Sequence, residues 1–383
     1  MTDLRVGLIG CGNIAAKAHA PALYAIDGVQ VVGVCDPTPA RRLPLQVMFD
    51  LPPSASVENY QDLLALGVDY VALSTPQQFR RPILEACAAA GVHVLSEKPI
   101  ATVPADAAAM IATMRAANLR YGLCHNWYFY PELILAHELI QAGAIGKLGH
   151  ALINLLGLPD YPGAAEYRPQ WRHDAAEAGG GILMDIVHAV YVSEWFLGGP
   201  VRSVSAVVDN LSHPGEAVED FTLLHLAGDH GYTTVQLWWG GGANGFEFSG
   251  TTGRLMLFYD NYNIFSTIQN FTVVNQAGRQ DFAPRGPRQE FENFIGLHTD
   301  FIEAIRTGRD PIAPAEAGQR TLEVALAAYL SAATGQVVRL PLPTASPLYL
   351  RGVAGLADLV PVGDSPVHRA GILGLKPLAQ GAA

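Results

Sequence analysis

Lys98 stands in the tripeptide Glu97-Lys98-Pro99, directly after an apolar run from Val92 to Leu95. The chain holds four lysines, Lys17, Lys98, Lys147 and Lys376, against twenty arginines. Where arginine is the habitual cation, a lysine at the end of a strand points to chemistry that uses a compact, tunable ammonium. A second constellation lies upstream. Leu4 to Ile9 reads as a short apolar strand, followed by Gly10-Cys11-Gly12-Asn13-Ile14-Ala15 and a helical stretch through Ala25. This is a G-x-G-x-x-A turn in its strand-to-helix context: Gly10 permits the tight turn, Gly12 lets a pyrophosphate approach the backbone, and Ala15 lets the helix pack on the strand. The phosphates sit at the helix N-terminus. A second apolar strand, Val29 to Cys35, ends in Asp36, about 20 residues past the turn, where a carboxylate takes the ribose of NAD. That acid disfavours the 2′-phosphate of NADP unless an arginine intervenes, and Arg41 and Arg42 are the residues near enough to do so.

The elements around these groups predict a doubly wound parallel sheet. After Asp36 come a helical Tyr60 to Leu66, a strand Asp69 to Ser74, a helix from about Gln78 to Ala90 and a strand Val92 to Ser96. A helix Pro104 to Ala117 and a strand Arg120 to Cys124 complete the alternation. Ligands of such sheets bind outside the carboxyl ends of the strands, so Asp36, Thr75-Pro76 and Glu97-Lys98 are expected to converge. From His125 the style changes. One helix, Pro131 to Ala142, leads into Gly149 to Leu158, Val201 to Asp209, Phe221 to Ala227, Tyr232 to Trp239, Gly245 to Ser249 and Arg254 to Tyr259, all β-rich. The expected division is a Rossmann domain over 1–124, a substrate-binding and oligomerisation α/β domain with an open, mostly antiparallel sheet over 125–345, and a C-terminal extension over 346–383.

Four stretches together resemble the Gfo/Idh/MocA oxidoreductases. They are Gly7 to Ala15, the Asp69 to Pro76 strand end, His93 to Ala101, and Trp171-Arg172 followed by Gly179-Gly180-Gly181-Ile182-Leu183-Met184-Asp185. The resemblance runs from about residue 4 to Pro341. It implies hydride exchange between NAD(P) and a sugar, cyclitol or related polyol, and Asp36 favours NAD over NADP. It also implies a catalytic group made of the lysine of Glu-Lys-Pro with an aspartate and a histidine after the triple glycine, here Lys98, Asp185 and His188. The cofactor site is expected at Gly10, Gly12, Asn13, Ile14, Asp36, Thr75, Pro76, Glu97, Lys98 and Asn126. The substrate site is expected at Lys98, Tyr128, Trp171, Arg172, Asp185 and His188.

The chemistry of that transfer fits those residue types. Oxidising a secondary alcohol requires a positioned base and a group that stabilises developing oxyanion charge, while the nicotinamide takes the hydride. His188 is the expected proton acceptor, because an imidazole titrates near working pH. Lys98 is expected to stabilise the oxyanion, and Asp185, at i−3, to share a helical face with His188 and either orient it or hydrogen-bond a neighbouring hydroxyl. The commoner family spacing is D-x-x-x-H, whereas Asp185-Ile186-Val187-His188 is one residue shorter. On a helix of about 100° per residue that places the pair about 60° apart instead of about 40°, still on one face.

Other features bear on substrate and class. His125 to Pro131 matches a family segment, but Tyr128 replaces a common arginine, which disfavours an anionic substrate. Trp171 and the Trp238-Trp239 pair suit stacking on a sugar ring or, equally, core packing. Arg80, where histidine is common, reads as neutral for chemistry. Leu158 to Glu177, rich in Pro, Gly and Tyr, is expected as a lid. No H-x-x-x-H or paired-cysteine spacing joins His125, His173, His188 and Asp185, so no metal is expected. The formal charge of −11 and the absence of a basic run argue against nucleic acid. No apolar stretch is long enough for a membrane helix and no leader is evident, so the cytoplasm is expected. The four cysteines, Cys11, Cys35, Cys87 and Cys124, read as packed thiols. A half-hydrophobic composition leaves surface for a homodimer or homotetramer. The leading class is an NAD-dependent dehydrogenase or reductase of a sugar, cyclitol or glycoside. Its rivals are a non-catalytic NAD-binding sugar sensor and a sugar–sugar oxidoreductase with tightly held cofactor.

Overall fold

The computed structural model describes residues 3–157, 170–260, 267–283, 286, 288–289, 291–360, 367 and 372–375. Six strands, β1 (Leu4–Ile9), β2 (Val29–Cys35), β3 (Ser56–Val57), β4 (Tyr70–Leu73), β5 (His93–Ser96) and β6 (Tyr121–Leu123), form a sheet of order β3-β2-β1-β4-β5-β6. Every pairing is parallel. Parallel strands are covered on both faces, which is why β4 is buried at all four positions and reads as an unbroken apolar run. The connecting helices are α1 (Ala20–Tyr24), α2 (Pro39–Met48), α3 (Tyr60–Leu64), α4 (Arg80–Ala89) and α5 (Pro104–Ala116). The strand order reverses between β1 and β4, and the crevice at the carboxyl ends of these strands is the site the topology creates.

After α6 (Pro131–Gln141) the chain enters a second, nine-stranded sheet made of β7 (Leu148–Leu156), β8 (Ser203–Asp209), β9 (Phe221–Ala227), β10 (Tyr232–Trp238), β11 (Asn244–Gly250), β12 (Gly253–Tyr259), β13 (Ile268–Asn275), β14 (Gly278–Asp281) and β15 (Val338–Arg339). Its order is β14-β13-β12-β11-β7-β10-β9-β8-β15. Only β7 and β10 run parallel among these pairs. Three short helices, α7 (Ala175–Ala178), α8 (Ile182–Asp185) and α9 (His188–Leu197), and two long ones, α10 (Glu292–Thr307) and α11 (Ala315–Thr334), complete the core. Leu224, Leu226, Val235 and Leu237 of β9 and β10 are buried on the face that α9 and α11 cover. Leu223, His225, Tyr232 and Gln236, alternating with them, occupy the more open face.

α11 touches both sheets through β6 and β8, so it ties them together. α10 follows β14 of the second sheet in sequence but packs on the first. Its Phe294, Leu297, Phe301 and Ile302 join Val6, Leu8, Tyr70 and Ala72 in one apolar cluster. Gly122 makes that docking possible, because a Cβ there would lie 2.9 Å from the Phe301 ring. The described part of the chain beyond Ser346 also packs on this chain, with Leu348 and Leu356 fully buried. Among the described residues, no single helix is long and apolar enough to cross a membrane.

Candidate active site

The glycine-rich turn is built as its spacing requires. Gly10 has φ +88°, and a Cβ there would lie 2.7 Å from the Ser74 carbonyl carbon, so only glycine fits between β1 and the end of β4. A Cβ on Gly12 would meet no protein atom within 4 Å, so what glycine spares there is approach from outside the protein. Asn13 and Ile14 open the following helix, which runs as a π-helix over Ala15–His19 before α1. Its wider turn carries Ala15, Ala18 and His19 into the interior.

Asp36 follows β2 and faces this turn. Its carboxylate accepts the Cys11 amide at 2.9 Å and the Thr38 amide at 2.8 Å. Arg42 donates to the Asp36 carbonyl and to Ser56 Oγ. Thr75 and Pro76 follow β4, and Asn126 opens a 3-10 turn (Asn126–Phe129) after β6, all at the same edge. Ser74 Oγ, Thr75 Oγ1 and Gln77 Oε1 are buried there without hydrogen-bond partners. Orphaned hydroxyls beside a glycine turn and a carboxylate are what a dinucleotide with ribose hydroxyls and phosphates would satisfy. The residues present fit that group.

Lys98 lies at the same edge, just past β5, and two turns are fastened beside it by Arg80. The buried guanidinium donates to the Thr75 carbonyl at 2.8 and 3.0 Å and to the carbonyls of Glu97 and Pro99. Arg80 is therefore a positioning residue, and its neutral reading from sequence missed that five donors in a fixed fork can bind three carbonyls at once. Lys98 Nζ reaches the Asp185 carbonyl and, at 3.2 Å, Asp185 Oδ1. Arg172 donates to the same Oδ1 at 3.2 Å. Burial alone would push the Asp185 carboxyl up, but Arg172 and Lys98 outweigh it and hold it below the usual carboxylate range.

His188 is brought close to this cluster but is not oriented as the i−3 spacing predicts. Asp185 ends α8, the backbone leaves helical geometry at Ile186 (ψ 38°), and His188 opens α9, with the two helical segments bent by 48°. The Asp185 carboxylate pairs with cations instead of the imidazole. His188 Nδ1 meets the Tyr191 hydroxyl at 2.6 Å, and its ring stacks on Trp127 with centroids 4.7 Å apart. Tyr191 also accepts the Trp127 amide at 3.1 Å. Burial, then the Lys98 charge and His125, hold the His188 imidazole well below the usual histidine range, so it is neutral at neutral pH.

The triple glycine is shaped by residues that sequence reading did not single out. A Cβ on Gly180 would lie 1.9 Å from the Tyr329 hydroxyl, and one on Gly181 2.0 Å from the Glu219 carbonyl oxygen. The Glu219 side chain takes the Gly181 amide at 2.8 Å, the Leu183 amide at 2.9 Å and the Tyr329 hydroxyl at 2.8 Å. A buried carboxylate thus caps the helix that carries Asp185. An acid two residues before strand β9 gives no local signal of this role.

The remaining candidates divide. Trp171 and Arg172 share a 3-10 turn (Gln170–His173), with Arg172 5.7 Å from the Trp171 ring centroid. Tyr128 turns inward: its hydroxyl donates to the Tyr191 carbonyl at 3.4 Å and its ring packs edge-on against Trp195. Trp239 is buried and stacks near His173, 5.7 Å away. His125 stacks on Tyr191 at 3.9 Å, and burial and Arg320 push its imidazole down to about 3. Residues 158–169 of the expected lid lie outside the described residues.

Comparison with known proteins agrees with this geometry. The family model described as an oxidoreductase family with an NAD-binding Rossmann fold matches residues 4–125, and that of the GFO/IDH/MocA C-terminal domain matches 134–256. The chain is similar to the dTDP-3,4-didehydro-2,6-dideoxy-alpha-D-glucose 3-reductase of Actinomadura kijaniata, 28% identical with 80% of this chain and 89% of that protein aligned. It is similar to the 1,5-anhydro-D-fructose reductase of Ensifer adhaerens, 28% identical with 88% and 98% aligned. Among solved structures, the aldose-aldose oxidoreductase of Caulobacter crescentus, complexed with glycerol, superposes with a TM-score of 0.77 at 25% identity, covering 88% of this chain and 100% of that one. With a glycine-turn crevice, a lysine clamped to an aspartate beside it and both family models matched in order, this chain belongs to the GFO/IDH/MocA family of NAD(P)-binding oxidoreductases.

Proposed function

We propose that the protein transfers hydride between NAD(H) and a secondary hydroxyl or ketone of a neutral sugar, cyclitol or glycoside. The observation that carries this reading is the Lys98–Asp185 contact, 3.2 Å from Nζ to Oδ1 at the edge of the cofactor crevice. A pure sensor has no use for an ammonium so held beside a neutral imidazole. The bound nicotinamide supplies or accepts the hydride. Lys98 stabilises the negative charge on the reacting oxygen, and Asp185 and Arg172 fix the direction of its ammonium. The Tyr191 oxygen, which also takes the Trp127 amide, accepts the proton of His188 Nδ1, which leaves the neutral imidazole with a free lone pair on Nε2. His188 Nε2 takes the hydroxyl proton in oxidation, becoming an imidazolium, and the imidazolium returns it to the oxygen in reduction. NAD is favoured over NADP because Asp36 presents a carboxylate and Arg42 is engaged on the Asp36 carbonyl and Ser56. The names of the relatives, which are reductases and oxidoreductases of sugars, support the substrate class. The more open face of the second sheet is where copies of the chain are expected to pair.

The test is absorbance of reduced nicotinamide while purified protein and NAD meet a panel of sugars, inositols and glycosides. The expected result is a substrate-dependent rise that Lys98→Ala lowers about 10²–10³-fold, the scale of losing one oxyanion donor, with nucleotide binding kept. Normal turnover by the variant would overturn the assignment. Cofactor found already bound to the purified protein, with activity only between pairs of sugars, would favour the sugar–sugar oxidoreductase.

A further inference from the structure

Beneath Lys98 lies a cluster of buried groups that the hydride transfer does not use. His19 Nε2 meets Glu97 Oε1 at 3.2 Å, His19 Nδ1 meets His298 Nε2 at 3.0 Å, and His298 Nδ1 meets the Tyr70 hydroxyl at 3.1 Å. Tyr70, His19 and His298 are fully buried and Glu97 nearly so. The four come from β4, the π-helix, α10 and the end of β5.

Their hydrogen bonds have one consistent direction. Among the described residues His298 Nδ1 is the partner of the Tyr70 hydroxyl, so the phenolic proton is satisfied only if Nδ1 accepts it. Nδ1 as acceptor leaves the His298 proton on Nε2, which donates to His19 Nδ1; His19 then carries its proton on Nε2 and donates to Glu97. Every member is then satisfied with one proton on each imidazole. The other Glu97 oxygen takes the Lys98 amide at 3.0 Å. Burial works against ionised Glu97, but the His19 hydrogen bond, with the Lys98 and Arg80 charges, holds its carboxyl below the usual glutamate range. The remaining neighbour, Cys124, brings Sγ to 3.8 Å from His19 Nε2, and burial first, then Glu97, keep it a thiol.

We propose that Tyr70, His298 and His19 form a one-way hydrogen-bond chain that holds Glu97 as a full carboxylate beside Lys98, and that this charge makes the site prefer oxidised over reduced nicotinamide. A neutral donor solvates the carboxylate without adding a further positive charge to the Lys98 and Arg80 already beside it, whereas an imidazolium at His19 would add one. The oxidised nicotinamide ring carries a positive charge and the reduced ring does not. If the reacting oxygen lies at Lys98, as the cofactor reading holds, a nicotinamide ring exchanging hydride with its carbon would lie near Glu97 as well. His19, His298 and Tyr70 are positioning residues in this account, which rests on the cofactor reading above.

Two measurements on the full chain test it. The first is the ring-nitrogen NMR of histidine in the wild-type protein, assigned by the signals lost in His19→Gln and His298→Gln. Both rings should be neutral with the proton on Nε2; a doubly protonated His19, a proton on Nδ1, or stoichiometric metal held by His19, Glu97 and Cys124 would overturn the chain. The second is the affinity of wild-type, His298→Gln and His298→Leu proteins for oxidised and for reduced nicotinamide dinucleotide. His298→Leu should cut the oxidised-to-reduced affinity ratio about tenfold, as expected for weakening one nearby charge, and His298→Gln, whose amide can still donate to His19, should retain most of it. An unchanged ratio in a folded His298→Leu protein overturns the preference. Wild-type protein that binds neither dinucleotide overturns the cofactor reading and the preference together, while the NMR result still decides the chain by itself.

Discussion

Glu219 accepts the Tyr329 hydroxyl at 2.8 Å while holding the Gly181 and Leu183 amides, so one buried carboxylate ties the triple glycine to α11. Burial raises its carboxyl from 4.5 to about 7 against the pull of those three donors. Between these values the folded protein keeps a proton that the unfolded chain has released. The contribution to stability is therefore complete below the unfolded value and is lost as pH rises to about 7. Its size is at most ~3 kcal/mol. Thermal melts from pH 5 to 8 should show wild-type protein losing stability over this window, with Glu219→Gln lacking that component of the slope. Parallel curves would count against the shift.

Tyr191→Phe should lower turnover about tenfold, the effect of one lost hydrogen bond to a reacting group. The hydroxyl fixes the His188 proton and satisfies the Trp127 amide, so the variant loses both. Because burial and Lys98 hold His188 below the usual histidine range, wild-type activity should show no limb from this residue between pH 6.5 and 8, where it is already neutral. Steady-state rates across that range check both points; a tyrosine of purely structural importance would change melting temperature and leave turnover per folded molecule intact.

Removing Arg80 should be costly although it makes no contact with the proposed substrate residues. Arg80→Met leaves the carbonyls of Thr75 and Pro99 without the guanidinium and that of Glu97 with only the Ser96 hydroxyl at 3.3 Å. An unsatisfied buried acceptor costs about 1–3 kcal/mol, so a loss of several kcal/mol with a matching drop in cofactor affinity is expected. Denaturant unfolding gives the first quantity and dinucleotide titration the second. A variant of wild-type stability would show that water replaces the guanidinium.

Asp36→Ala should weaken NAD by about tenfold while leaving NADP little changed, since a carboxylate binds ribose hydroxyls and repels a 2′-phosphate. The same change frees the Cys11 and Thr38 amides, so some general loss of affinity accompanies it. The ratio of the two affinities is the quantity to compare, and an unmoved ratio would take Asp36 out of the ribose site.

The local parts of this protein were legible in its sequence because local physics sets them. Parallel strands covered on both faces need apolar runs, so β1 and β2 appear with the bounds read from sequence, and β9, antiparallel with one open face, keeps its bounds through the alternation of a half-covered strand. The tight turn needs glycine at Gly10, and the fingerprint spacing puts Asp36 against it. Lys98 and Asp185, far apart in the chain, were paired through family resemblance, and the fold brings them together. What only tertiary structure decided are the partners that come from distant segments. The break at Ile186, which sends Asp185 to Lys98 and His188 to Tyr191, contradicts the single helical face that periodicity predicts. Glu219, Arg80 and His298 carry no local pattern, because a buried hydrogen bond is specified by three-dimensional proximity and not by spacing. The sequence determined which chemistry the crevice can hold; the packing of α10 and α11 decided which side chains set its charge.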